Sequence, residues 1–245
     1  MAHDSPTLDL LERLAAAPDR MTVDALCRQM GLPEPLVRGR LAQLVARGWV
    51  EVDADGVTYT IGVGALRPMS AFLSADRTAR LAGPILGRLS DQLDESVRLV
   101  RLDGTEIVCL AARESAHDTG SPVVGRRFPA ISAASGRAIL ARRDHTEVEA
   151  IIAAGVAAHT ADSVVDRAEL YAALADCRER GVAYERGELV PGVGCIAAAV
   201  RVDGLLVTDA ISCGVPLARL THDHADDVAA GVRRAADDLA AALLA

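Results

Sequence analysis

Residues 22–62 read TVDALCRQMGLPEPLVRGRLAQLVARGWVEVDADGVTYTIG, and the fold follows from this stretch. Val23, Leu26 and Met30 recur at the helical period and put one apolar stripe on a first helix. Thr22 is placed to cap its start, and Gly31 to end it with a residue that tolerates positive φ. A second helix carries Leu36, Val37, Leu41, Leu44 and Val45 on one face and stops at Gly48. Residues 49–52 and 57–61 then alternate at the strand period around Asp55-Gly56, a strong hairpin turn. Upstream, Ser5-Pro6 reads as an N-cap followed by proline at the first helical position. The helix it opens carries Leu8, Leu10, Leu11 and Leu14.

Three helices followed by a hairpin are the outline of a winged helix-turn-helix, here over residues 5–62. A helix-turn-helix also arises as a plain packing motif inside helical bundles; the hairpin after it favours DNA reading. Charge runs mildly the other way. The net charge is −8, and the first 66 residues hold six arginines against nine acids. Phosphate binding depends on local cations rather than on the overall sum. After Glu34, the second helix offers Arg38, Arg40 and Arg47 with no acid up to Gly48. The bland reading of these arginines is a solvated helix face. The functional reading puts Arg38 and Arg40, which flank Gly39, on the DNA side. The positions assigned to DNA contact are Thr22, Pro33, Glu34, Leu36, Arg38, Arg40 and Arg47.

The 245 residues hold one large or two ordinary domains. Half the chain is hydrophobic but only 2% is aromatic, so the cores are built from Ala, Val, Leu and Ile. The five cysteines, at 27, 109, 177, 195 and 213, are odd in number and lack CxxC spacing, which argues against disulfide frameworks and zinc knuckles. The N-terminal MAHDSPTLDL is polar and acidic where the basic region of a signal peptide would stand. No apolar run approaches the ~20 residues of a membrane span. The expected location is therefore cytoplasmic, with no membrane partner.

Past residue 62 the period changes more than once. Residues 65–82 read as helical, with Pro68 as start or kink, and a second helix covers 81–93 with Ile85, Leu86, Leu89 and Leu93 on one face. SVRLVRL and EIVCLAA form a hairpin around Asp103-Gly104. Residues 114–129 read as loop with at most one short strand. Helices are expected at 132–143, 146–154 and 169–180, the last opened by the capping box Asp166-Arg-Ala-Glu169 and closed by Gly181. Strands are expected at 182–185, 192–202 and 205–213, with Asp203-Gly204 turning the last pair. A final helix starts near Thr221. This is an α+β unit in which an antiparallel sheet is flanked by helices.

At this point the sequence resembles the IclR family of bacterial transcription regulators. The resemblance rests on residues 21–62, on VGRRFPAISAASGRAIL, and on RERGVAYERGELVPGVGCIAAAVRVDG, with LARLT before the last helix in keeping. It implies an N-terminal winged helix (1–64), a linker helix (65–80) and a C-terminal GAF-like effector-binding domain (81–245). It implies a ligand-responsive transcription regulator, an activator or a repressor, that binds double-stranded operator DNA as a homodimer, or as a dimer of dimers. It further implies a small organic or aromatic acid as effector, and no cofactor. Carried over position by position, the effector pocket is lined by Ala134 and Ser135, by Glu185 ten residues before Cys195, by Cys195 itself, and by Ser212 and Gly214 on the following strand.

The chain departs from the family pattern in places. Gly214 lacks a frequent hydroxyl, Glu185 stands where aspartate is usual, and Ala199 replaces a proline. In the recognition helix Glu34, Pro35 and Leu36 stand where a basic residue and Ser-Thr are common, and Gly39 where arginine is frequent. That weakened helix keeps a second hypothesis open: a small-molecule sensor or enzyme whose helix-turn-helix serves dimerisation only. A third is an interaction protein without a ligand.

Four local patterns invite chemistry. Cys195 as a nucleophile needs a base, and no histidine is near it in sequence; its neighbours are apolar, so a packing or pocket-lining role is expected. Gly192-Val-Gly194 precedes a strand instead of opening a helix, unlike a dinucleotide fingerprint. His222-Asp223-His224 puts its histidines on different helix faces, so capping after Thr221 is expected in place of a metal site. Arg126-Arg127 beside Phe128 reads equally as an anion or partner contact and as a solvated loop. No catalytic residue and no metal ligand is assigned.

Overall fold

A computed structural model describes residues 5–17, 19–117 and 124–245. The chain divides into two compact units, 1–75 and 76–245.

In the first unit, α1 (Pro6–Ala16), α2 (Val23–Met30) and α3 (Glu34–Ala46) precede a hairpin of β2 (Val50–Val52) and β3 (Thr58–Ile61). Thr22 Oγ1 accepts from Ala25 N at 3.2 Å, and Gly31 ends α2 at φ +64°, a left-handed turn that suits glycine. Ser5 stands at the N-cap of α1, but its hydroxyl makes no capping hydrogen bond. A two-residue strand, β1 (Met21–Thr22), pairs with β3, so the sheet order is β1-β3-β2. So short a strand carries no periodic signal. The Asp53 carboxylate organises the hairpin turn, accepting from Val57 N at 2.8 Å, Thr58 N at 3.1 Å and Thr58 Oγ1 at 2.7 Å. These bonds favour the charged form and hold the Asp53 carboxyl below its usual range. The core is Leu10, Leu14, Val23, Leu26, Val37, Leu41 and Leu44. Leu8 is exposed and belongs to no core face.

The helix expected over 65–82 is two. After a short 3-10 turn, α4 (Leu66–Ala75) ends before Asp76, and α5 runs Arg77–Leu93. Asp76 caps α5 by accepting from Ala79 N at 2.8 Å, and its carboxylate also receives Arg101. Arg101 in turn binds Asp209 through Nε at 2.6 Å. A carboxylate with these two partners, Ala79 N and Arg101, holds its residue in extended backbone, which ends one helix and starts the next.

In the second unit, α5 is followed by β4 (Ser96–Asp103), β5 (Glu106–Arg113), β6 (Arg127–Pro129), α6 (Ala134–Leu140), α7 (His145–Ala153), α8 (Arg167–Arg180), β7 (Ala183–Arg186), β8 (Val193–Ala199), β9 (Asp209–Pro216) and α9 (His222–Leu244). The strands form one antiparallel sheet in the order β6-β5-β4-β9-β8-β7. The two sequence hairpins thus join through β4 and β9. On one face, Val97, Leu99, Ile196, Ile211, Cys213 and Val215 pack with α5 and α9. On the other, Val100, Ile107, Ala183, Ala197 and Ala210 pack with α6, α7 and α8.

Some boundaries differ from the expected ones. The helix expected at 132–143 shrinks to α6, and β9 begins at Asp209, so Leu205 and Leu206 are exposed in a loop. Their apolar character imitates a strand because periodicity cannot tell an apolar loop from an edge. Of the loop expected at 114–129, residues 118–123 lie outside the described residues. Among the described residues, no helix is long and apolar enough to cross a membrane.

Candidate functional site

Two surfaces carry the candidate chemistry, one in each unit. On α3, Val37, Leu41 and Leu44 face the core. Leu36, expected on that apolar face, is instead exposed. It lies about 100° around the helix from Val37, too far to share a narrow inward stripe. The outward face carries Glu34, Pro35, Leu36, Arg38 and Gly39, with Arg47 exposed at the C-cap. Pro33 is exposed at the N-cap; Arg40 is half-buried, with Nη1 donating to Gln43 Oε1 at 3.4 Å. Arg38 Nε donates to Glu34 Oε1 at 2.6 Å across one helical turn. The first-turn acid therefore holds a cation of the recognition helix. Thr22 is occupied as the cap of α2 and sits at the edge of the wing sheet.

In the second unit the strand register decides what meets what. Glu185 faces Cys195, Cys195 faces Gly214, and Ser212 faces both Ala197 and Arg98. Alternation then puts Glu185, Cys195, Ser212, Gly214 and Arg98 on the same side of the sheet. Above them, Ala134 and Ser135 enter from the start of α6. All six expected effector positions line one cavity of about 680 Å³, its open mouth included. Its remaining wall is mostly apolar: Val100, Ile107, Phe128, Leu189, Val190 and Val193.

Gly136 explains how α6 comes so close. A Cβ there would lie 2.0 Å from the Ala130 carbonyl oxygen, so only glycine lets the helix start sit over this loop. Arg137 follows it, 2% exposed, donating Nε to Ile131 O at 2.8 Å and Nη2 to Glu188 Oε2 at 2.6 Å. The backbone N–H groups of Glu188 and Leu189 donate to Glu185 Oε1, the second at 3.0 Å. Arg137, Glu188 and Glu185 thus fasten α6, the cavity wall and β7 together. Burial pushes the Glu185 carboxyl up to about 7, against the opposing pull of those two N–H groups. Burial also pushes the Cys195 thiol up to about 12. It is a neutral thiol near pH 7, and among the described residues lining the cavity there is no histidine.

The other patterns resolve locally. Thr221 Oγ1 accepts from His224 N at 3.3 Å, His224 Nε2 lies 3.2 Å from Glu95 Oε1, and His222 is exposed. Arg127 binds Glu106 at 2.7 Å and Asp103 at 2.6 Å, while Arg126 stacks over the Phe128 ring. The sequence reading missed Arg98, Arg137 and Glu188. Arg98 is one charge in an alternating strand, and only the pairing of β4 with β9 aims it at the cavity. Arg137 carried the one visible signal, as the basic residue after the glycine of the ASGRA segment.

A winged helix-turn-helix together with a separate α+β unit built around a cavity is the build of a one-component transcription regulator. Comparison with known proteins makes this specific. Residues 71–241 match the bacterial transcriptional regulator IclR C-terminal family, and residues 7–54 match the IclR helix-turn-helix domain. The chain belongs to the IclR family of bacterial transcriptional regulators. It is 27% identical to the transcriptional repressor IclR of Escherichia coli K12 over 236 residues, covering 95% of this chain and 86% of that protein. An IclR transcriptional regulator from Alicyclobacillus acidocaldarius superposes with a TM-score of 0.85 at 21% identity, over 98% of this chain and 99% of the other. An IclR homologue from Microbacterium hydrocarbonoxydans, solved with 4-hydroxybenzoate, superposes with a TM-score of 0.81 at 21% identity, over 97% of each chain.

Proposed function

We propose that this chain is a homodimeric, effector-controlled repressor whose operator affinity is set by a small organic or aromatic acid bound in the cavity of the second unit. Residues 1–64 read DNA, 65–80 connect, and 81–245 sense the effector. The observation that carries the reading is the convergence of Ala134, Ser135, Glu185, Cys195, Ser212 and Gly214, drawn from one helix and three strands, on one cavity. The Microbacterium relative's 4-hydroxybenzoate supports an aromatic acid as the ligand class. A neutral thiol with no histidine among the described residues of the wall favours binding over catalysis. On α3, Arg38 and Arg40 supply phosphate or guanine contacts, with Thr22, Pro33, Glu34, Leu36 and Arg47 at the edge of that contact. Dimerisation follows from the small footprint of one winged helix and the palindromic half-sites that two-fold proteins read.

Mobility shift with fragments of the protein's own promoter region, with and without benzoate-type acids, tests the reading. Expected is a retarded complex that an acid dissociates. A protein that binds no fragment but still binds the acid would support the sensor-only alternative. Sedimentation equilibrium at micromolar concentration should give a dimer or larger; a clean 25.6 kDa species contradicts the dimer.

A further inference from the structure

Arg98 sits mid-strand on β4, between Val97 and Leu99, both of which point into the core shared with α5 and α9. Its own side chain therefore points the other way, and it lines the cavity. Where it lies there is recorded by a glycine. A Cβ on Gly214 would come 2.7 Å from Arg98 Nη1, 3.7 Å from Cζ and 3.8 Å from Nη2. The guanidinium rests against the α-carbon of Gly214 on β9. Read from sequence, Gly214 was a missing hydroxyl. In the structure it is the space that admits a cation.

We propose that Arg98 is the carboxylate-recognising residue of the cavity, that Gly214 is the position that lets it in, and that the effector is therefore an anion bound by charge. This rests on the cavity being the effector site. A guanidinium is a planar fork that matches a carboxylate in two parallel hydrogen bonds. Val100, Ile107 and Phe128 stand in the same wall, and the low polarity they give it strengthens that attraction. The Arg98 charge pulls the Cys109 and Cys195 thiols down against the larger upward effect of burial, so its field reaches across the cavity. The Glu185 carboxyl responds instead to Glu188 and Arg137. Glu185 pairs with Cys195 and Cys195 with Gly214, so the acid stands two strands from the glycine, roughly 10 Å at the usual strand spacing. The cavity is thus cationic at one end and acidic at the other. An acid with a hydroxyl at its far end satisfies both, the carboxylate on Arg98 and the hydroxyl on Glu185.

Isothermal titration of the full-length protein with matched acid and amide pairs tests this: benzoate and benzamide, 4-hydroxybenzoate and 4-hydroxybenzamide, phenylacetate and phenylacetamide, butyrate and butyramide. Expected is at least one pair whose acid binds roughly tenfold tighter or more than its amide, from the typical strength of hydrogen bonds to charged groups. R98M should weaken that acid by ~10- to 100-fold and leave the amide within about threefold, while R98K recovers part of the loss. G214S should weaken the acid too, because its Cβ displaces the guanidinium. An acid bound as tightly by R98M as by wild type, or amides bound as well as acids, overturns the Arg98 assignment and leaves the cavity as effector site. Absence of binding by every acid and amide overturns both. If R98M does not fold, the wild-type preference for acid over amide and the G214S result still decide.

Discussion

Glu185→Gln is the substitution whose effect the structure fixes most tightly. The carboxyl of Glu185 is 4% exposed and is pushed from its ordinary 4.5 up to about 7 by burial. The folded state holds its proton more strongly than the unfolded chain does. Between these two values the native protein therefore carries more bound protons than the unfolded one, and stability must fall as pH rises. The loss begins near 4.5, is complete above 7, and amounts to about 3 kcal/mol for that interval. Glutamine keeps an oxygen to accept from the Glu188 and Leu189 N–H groups and cannot ionise. The variant should match wild type within ~1 kcal/mol near pH 4.5 and exceed it by about 3 kcal/mol near pH 8. The assay is urea unfolding followed by far-UV circular dichroism at a series of pH values and fixed protein concentration. Trp49 is the single tryptophan and lies in the first unit, so its fluorescence serves as an internal control that should not respond. A stability gap between variant and wild type that stays flat from pH 4.5 to 8 would refute the reasoning, since it would mean that Glu185 ionises alike in both states.

Gly136→Ala should destabilise the second unit by about 3 kcal/mol or more, because its Cβ meets the Ala130 carbonyl oxygen at 2.0 Å and backbone must move; a melting temperature within ~2 °C of wild type contradicts this. Glu34→Gln should raise affinity for the operator, since it releases Arg38 from its 2.6 Å ion pair and removes a negative charge from the recognition helix; Arg38→Ala should lower affinity and reduce the salt slope by ~1 in mobility-shift titrations. Ser135→Trp should fill the cavity and abolish acid binding by calorimetry, with hydrogen exchange of the sheet showing that the unit remains folded. Unchanged acid affinity in that variant would place the effector elsewhere.

The sequence by itself determined the elements whose signals are local. The stripes of α2 and α5, the caps Thr22, Asp166 and Thr221, and the turns at Gly31, Gly56 and Gly104 each depend on residues within a few positions of one another. Those signals, with the family motifs, placed the winged helix, the α+β unit and six cavity positions. What the tertiary structure decided is long-range. The break at Asp76 needs Arg101 from a strand 25 positions away, whose carboxylate partners are invisible to periodicity. The inward aim of Arg98 needs the β4–β9 pairing, which joins residues more than a hundred positions apart. The exposure of Leu36 follows from which three positions of α3 the neighbouring helices can cover, and apolar character alone does not say so. Strand register and side-chain reach convert a list of separate residues into one cavity with a cation at one end and an acid at the other, and neither is encoded within any single window of the chain.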